Sequence, residues 1–438
     1  MVKRNDLSWG RLPAVEQKIQ PFSWRHHNLP DIECSLLPYG KGRSYGDSCL
    51  NEGGLLIQSK GLDKFIAFDE QDGVIRCEAG VTFEDIIRLI LPLGWFLPVT
   101  PGTKYLTVGG AIANDVHGKN HHIAGTFGCH VTLFELLRTD GQRLLCSPTE
   151  NVEWFKATIG GLGLTGFITW AEFKLKPIDN PFIRFEDFRF GHVEEFDHYV
   201  KDSNGFEYTV GWVDCLATGK RLGRGIFSRA NHAEPMTADQ AKVPSGRKLT
   251  VPFSFPNWAL NALTINVFNQ LYYRKGFVGK TSGLVYYDPF FYPLDAILHW
   301  NRVYGNRGFY QYQCVVPAGE NYEIVKQIMC CIADAKVGSP LTVLKEFGDV
   351  DSPGMLSFPK PGITFALDFP NKGQTTLQLF SKLDAIVMEA GGRVYPAKDA
   401  RMPGKAFRSF YPNWEEFARY IDPGFSSSFW RRVTGDVD

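Results

Sequence analysis

At 438 residues the chain is too long for one compact core and implies two domains. Its 44% hydrophobic and 21% charged content is that of an ordinary globular protein, and its 47 basic residues balance 47 acidic ones. That balance argues against a nucleic-acid binder and leaves a small molecule or another protein as the partner.

The nine cysteines are scattered without a Cys-x-x-Cys pair, which argues against a disulfide framework or zinc site and fits a reducing compartment. Residues 1–6 lack the apolar stretch of a signal peptide, and no uncharged apolar run reaches bilayer length. The expectation is a cytoplasmic protein without a transmembrane segment, with peripheral membrane contact left open.

In chain order, residues 38–48 come first, with glycines at 40, 42 and 46. Closely spaced glycines let successive N–H groups converge on one anion, as in a phosphate-cradling loop. Short β-like runs follow at 54–57 and 73–78, then a helical pattern from Thr82, a plausible N-cap, to Leu91, ended by Pro92 and Gly94. A second glycine-rich stretch covers 100–122, where Gly109-Gly110-Ala111 suits a helix start packed close to a ligand. Its His117, His121 and His122 suggest a metal, but no acidic ligand stands among them and glycines surround them, so none is expected.

Gly161-Leu-Gly163-Leu-Thr-Gly166 matches the G-x-G-x-x-G dinucleotide pattern. The residues after it alternate like a strand, whereas that fold requires a helix there, so a Rossmann dehydrogenase is not expected. Texture changes at 176–181, placing a domain boundary near 180. Beyond it the chain is richer in aromatic residues, with strand-like runs at 309–316 and 362–369 and a helical run at 375–390. The aromatic-rich segment 249–273 reads as core, with a lipid-facing surface as the alternative, since Arg274, Lys275 and Lys280 lie just beyond.

These stretches together resemble the FAD-binding domain of the vanillyl-alcohol-oxidase (PCMH-type) superfamily. Residues 42–47, 109–113, 117–122, 124–125, 127–128, 163–166 and 395–399 are similar to its decaprenylphosphoryl-ribose oxidase branch, and the similarity runs through most of the chain. The resemblance implies an α+β fold. A two-subdomain FAD-binding domain would span 1–180, completed by 391–438, and a substrate cap with a large antiparallel sheet would span 181–390.

It also implies FAD contacts from Pro38, Tyr39, Gly40, Lys41, Gly42, Arg43, Ser44, Tyr45, Gly46, Asp47 and Ser48. Further contacts would come from Gly102, Thr107, Val108, Gly109 and Gly110, then Asn114, Asp115, Val116, His117, Ile168 and Tyr395. Lys119, Gln311, Gln313, Lys345, Thr364, Ala366 and Lys398 would face the substrate. Some superfamily members bond the flavin through a histidine where this chain has Arg43, so FAD would be held non-covalently. Ala366 and Thr364 stand where the branch carries cysteine and asparagine, so inhibitors that react with that cysteine should not react here.

The implied reaction is oxidation of a sugar hydroxyl to a ketone, at the 2′-OH of a polyprenylphosphoryl pentose. It would be the first half of an epimerisation, with a short-chain dehydrogenase/reductase as partner and quinone or oxygen as electron acceptor. An alditol or aldonolactone oxidase and a non-catalytic flavin-fold module are the alternatives. Alcohol oxidation needs a group to take the hydroxyl proton. Lys398 could do so if burial lowered its pKa, with Tyr45 and His117 as competitors. Gln311 and Gln313 alternate onto one face of a strand, while Lys345, next to Glu346, reads as exposed.

Overall fold

The computed structural model describes residues 6–235, 248–275, 280–319 and 322–435. Three sheets carry the architecture, an α+β arrangement with one large antiparallel sheet. The smallest of the three is parallel and orders Lys18–Pro21, Leu55–Gln58 and Leu36–Tyr39. Leu36, Leu37, Leu55, Leu56 and Ile57 are all buried, as strands covered on both faces require.

The second sheet is antiparallel, in the order Phe65–Asp69, Val74–Glu78, Phe167–Lys174, Val131–Leu137, Arg143–Cys146. The 161–166 glycine stretch therefore runs into a strand rather than a helix. Gly163, at φ 75°, instead lets the chain pass close to Pro38 of the first glycine loop. The helix Phe83–Ile90 begins on a capping box. Thr82 Oγ1 accepts the Asp85 N–H at 3.2 Å and the Asp85 carboxylate takes the Thr82 N–H at 3.3 Å. Phe83, Ile86, Ile87 and Ile90 line its buried face.

The third sheet has eight strands. In order they are Lys280–Tyr286, Phe182–Phe190, Gly225–His232, Tyr208–Val213, Thr342–Phe347, Gly362–Pro370, Phe309–Val316 and Arg393–Val394. Every neighbouring pair is antiparallel. The helices Glu323–Ala335 and Gln374–Glu389 share one apolar core with alternate residues of this sheet, among them Tyr312, Cys314, Phe365 and Leu367. Its other face is left to the site described below. The chain end then returns to the first sheet: Ser426 N–H donates to Leu36 O, and Arg432 bridges Asp47 at 2.7 Å and Asp399 at 2.8 Å.

Segment 249–273 departs from the expected core placement. The helix Ala262–Arg274 buries Ile265 and Asn269, while Trp258, Leu263, Val267 and Leu271 are exposed. Its inward anchor is polar: Asn269 Nδ2 donates to Asp214 Oδ1 at 2.8 Å, and Asp214 is paired with Arg224. Apolar content alone says that a helix has a hydrophobic side, not which way that side turns. No helix among the described residues is long and apolar enough to cross a membrane.

Candidate active site

The two glycine-rich stretches and the open face of the eight-stranded sheet enclose a cavity of about 1670 Å³. Such a volume exceeds the ordinary range for one small ligand and has room for a dinucleotide and a second molecule. Strand periodicity builds one wall: Gln311 pairs with Asp368, Gln313 with Ala366, and Lys345 with Thr364, so alternate residues of three neighbouring strands face inward together. Further along the same face come Trp212, Ile226, Ser228, Phe185 and Asp187. The wall thus grades from amides and lysines to aromatic and aliphatic side chains.

The polar end is tightly connected. His117 is buried, and its Nε2 lies 2.9 Å from Gln313 Nε2. With the amide donating, the ring proton sits on Nδ1, which has no partner among the described residues. Burial and the nearby Lys345 hold His117 well below the usual histidine range, so the ring is neutral. Gln313 also reaches Thr364 Oγ1 at 3.3 Å, and Gln311 Nε2 donates to Asp368 Oδ1 at 2.5 Å.

Lys398 lies against the Tyr45 ring, its Nζ 4.1 Å from the centroid. Burial lowers its ammonium pKa, with Asp368 opposing, and burial raises the Asp368 carboxyl. The Tyr45 phenol is pushed well above its ordinary value, first by burial and then by Asp368, and so remains protonated. Lys345 Nζ donates to Gly118 O at 3.0 Å, and Lys119 Nζ donates to Phe290 O. Burial lowers these two ammonium groups to about 8 and about 7. Lys345 is half-buried in the cavity wall, not solvated as its place beside Glu346 suggested.

Most of the residues singled out from the sequence line this cavity, including Pro38, Tyr39, Gly40, Arg43, Ser48, Gly102, Thr107, Asn114, Ile168, Tyr395 and Ala366. Gly46, Asp47, Val108 and Asp115 are not part of its lining. Gly46 packs so tightly that a Cβ there would sit 1.8 Å from Asp399 O, and Asp47 holds Arg432. Val108 is in the core, and Asp115 accepts from Gly128 N–H at 2.9 Å and from Ser357 Oγ at 2.5 Å. His121 packs on Phe347 and His122 bonds Phe206 O, and no cluster of metal-binding side chains occurs among the described residues. Sequence reasoning missed Asp368, Asp187 and Trp212, whose places depend on strand register.

The residues at the glycine-loop end fit a dinucleotide. The loop turns at Gly42, φ 60°, and the N–H groups of Lys41, Gly42, Arg43 and Ser44 make no hydrogen bond among the described residues. Such a run of free donors suits phosphate oxygens. Gly102 has open space beyond its Cα, and Leu106, Ala113, Val116 and Ile168 offer an apolar wall.

Comparison with known proteins agrees. Residues 30–147 match the FAD binding domain family. Over 414 residues the chain is 37% identical to the decaprenylphosphoryl-beta-D-ribose oxidase of Mycolicibacterium smegmatis, covering 91% of this chain and 89% of that protein. It is 32% identical to an uncharacterized protein in the mprA 5′ region of Streptomyces coelicolor, covering 81% of this chain and 100% of the other. A human Delta(24)-sterol reductase is 34% identical over 116 residues, 26% of this chain and 22% of that enzyme. FAD is the cofactor, and the protein is an FAD-dependent oxidoreductase acting on CH–OH groups. The chain belongs to the decaprenylphosphoryl-ribose oxidase family of PCMH-type FAD-linked oxidoreductases.

Proposed function

We propose that the enzyme oxidises the 2′-hydroxyl of a polyprenylphosphoryl pentose to a ketone, as the first half of an epimerisation. A short-chain dehydrogenase/reductase would complete that epimerisation, and quinone or oxygen would accept the electrons. The observation that carries the substrate class is a pair of lysines. Lys119 and Lys345 line the cavity, donate to backbone carbonyls, and have no ion-pair partner among the described residues. Two such cations beside a cluster of sugar-binding amides call for an anionic group on the substrate. The apolar end, with Trp212, Ile226, Phe268 and Tyr272, suits the hydrocarbon that a phosphodiester would lead to.

In this reading residues 1–180 with 391–438 form the two-subdomain FAD-binding domain, and 181–390 form the cap. FAD lies non-covalently along residues 38–48 and 101–117, since Arg43 offers no atom for a flavin bond and instead stacks 4.5 Å from the Trp9 ring centroid. When bound, the cofactor supplies the hydride acceptor. Lys398 in its neutral form takes the hydroxyl proton, made available by the lowering of its pKa. Tyr45, held as the phenol, orients the hydroxyl, and Gln311 and Gln313, each fixed by a partner, place the sugar ring. Lys119 and Lys345 hold the phosphate.

The test is anaerobic. Addition of a polyprenylphosphoryl pentose should bleach the yellow oxidised protein, while free pentoses and alditols should not. Bleaching by an alditol and not by the lipid phosphate would overturn the assignment. Acid precipitation should leave all flavin in the supernatant.

A further inference from the structure

Eleven of the seventeen exposed large hydrophobic residues among those described fall between Leu249 and Leu298. Their centre is the helix Ala262–Arg274, which is mounted inside out. Its Asn269 is buried against Asp214, while Leu263, Val267 and Leu271, one turn apart each, point outward with the first and last 73% and 68% exposed. Trp258, 75% exposed, extends the patch. A stripe of this kind on a well-anchored helix does not stabilise the fold by burial, so something must cover it in use.

Charge identifies the cover. From residue 249 to 287 the chain carries no aspartate or glutamate. Arg274 and Lys275, both exposed, end the helix without an ion pair among the described residues. A second copy meeting this surface across a two-fold axis would bring cations against cations, with no acidic residue in the segment itself and only Asp187 of the cavity wall near Lys275 to offset them. An anionic lipid surface meets both demands, taking the apolar stripe at the acyl boundary and the two cations at the phosphate level. Phe253, Phe268 and Tyr272 belong at once to this exposed face and to the cavity lining, so the patch is the rim of the cavity's apolar end.

We propose that residues 249–275 dock the enzyme on an anionic membrane surface, with Trp258, Leu263, Val267 and Leu271 inserted and Arg274 and Lys275 at the headgroups. Docked in this way, the cavity opens toward the bilayer, where a lipid-linked substrate resides. The purpose of the contact rests on the substrate reading above, but the contact itself does not.

Full-length holoenzyme mixed with phosphatidylcholine vesicles containing phosphatidylglycerol should float with them, less so with phosphatidylcholine alone or at high salt. The triple variant Leu263→Gln, Val267→Gln, Leu271→Gln should lower partition at least about tenfold. Its flavin absorbance and thermal midpoint should stay as in the parent. Parent protein that remains free of anionic vesicles, or a variant that floats equally well, overturns the proposal. So does a parent dimer in size-exclusion chromatography that the variant turns into monomer. Flotation without bleaching by lipid-phosphate pentose would instead sink the substrate reading and leave membrane docking standing.

Discussion

The two ends of the cavity are constructed on opposite principles. At the glycine-loop end polar side chains hold one another: Gln311 has Asp368, Gln313 has His117, and Lys345 has Gly118 O. Those groups come from four separate stretches of chain and lock one another in place. At the other end the helix Ala262–Arg274 hangs on Asn269, Ile265 and the Tyr273 hydroxyl, which donates to Phe190 O at 3.1 Å, with most of its apolar side chains uncovered. One end is strained by buried charge, the other by exposed hydrocarbon. Reacting atoms demand preorganised geometry, whereas a long flexible chain demands only a surface it can slide along.

The largest effect that separates the two ends should be on chemistry at Lys398. Lys398→Met removes the proton acceptor and should slow anaerobic flavin reduction about 10³-fold with FAD retained. In the parent, reduction should accelerate as pH rises through the lowered Lys398 pKa, because only the neutral amine accepts a proton; the variant should lose that limb. A variant that keeps both rate and limb would exclude Lys398 as the proton acceptor.

Next comes Asp47→Ala. It leaves Arg432 without one of its two carboxylates and loosens the helix Ser428–Thr434 against the first glycine loop, though its bonds to Leu50, Asn51 and Glu52 remain, at a cost of about 2 kcal/mol in a thermal or urea melt. FAD should then be lost early in the melt. Retention of FAD to the midpoint would show that the loop holds its shape without that tie.

Lys345→Met should divide function from stability. It should raise KM for the lipid phosphate about tenfold with little change in kcat. Burial holds the folded-state pKa of Lys345 at about 8, below the unfolded lysine value, so the charged form opposes folding. That opposition is fully present below about 8 and fades as pH rises toward the unfolded value. The variant should therefore melt higher than the parent at pH 7, by a margin that closes at alkaline pH. A lower midpoint at pH 7 would mean that Lys345 is paired in the fold after all.

How much of this could be read in the sequence follows the same division. The Thr82 capping box, the strand after Gly166 and the inward alternation of Gln311 and Gln313 are local, each settled within a few residues by backbone geometry. Asp368 went unnoticed because its place beside Gln311 depends on register between strands far apart in the chain. Asp47, read as part of the loop's ligand face, turns away because Arg432, near the chain's other end, supplies a stronger partner than solvent. Segment 249–273 reads as core, with a lipid-facing surface as the alternative, because apolar composition alone does not say which side turns inward. The signal was present in Asn269, a polar residue at helical spacing from Ile265, which marks the face that turns to Asp214.

The smallest predicted effect is therefore the sharpest test of the contrast. A buried leucine such as Leu367 in the eight-stranded sheet should lose about 3 kcal/mol on truncation to alanine. Leu271, by composition an equal candidate for the core, should tolerate Leu271→Gln within about 0.5 kcal/mol, because its side chain meets solvent in the unfolded and folded states alike. Measured in urea without lipid, the two changes should differ several-fold. A loss at Leu271 beyond about 1 kcal/mol would place its side chain in the packed interior, return the arm to the core and remove the outward stripe on which membrane docking depends.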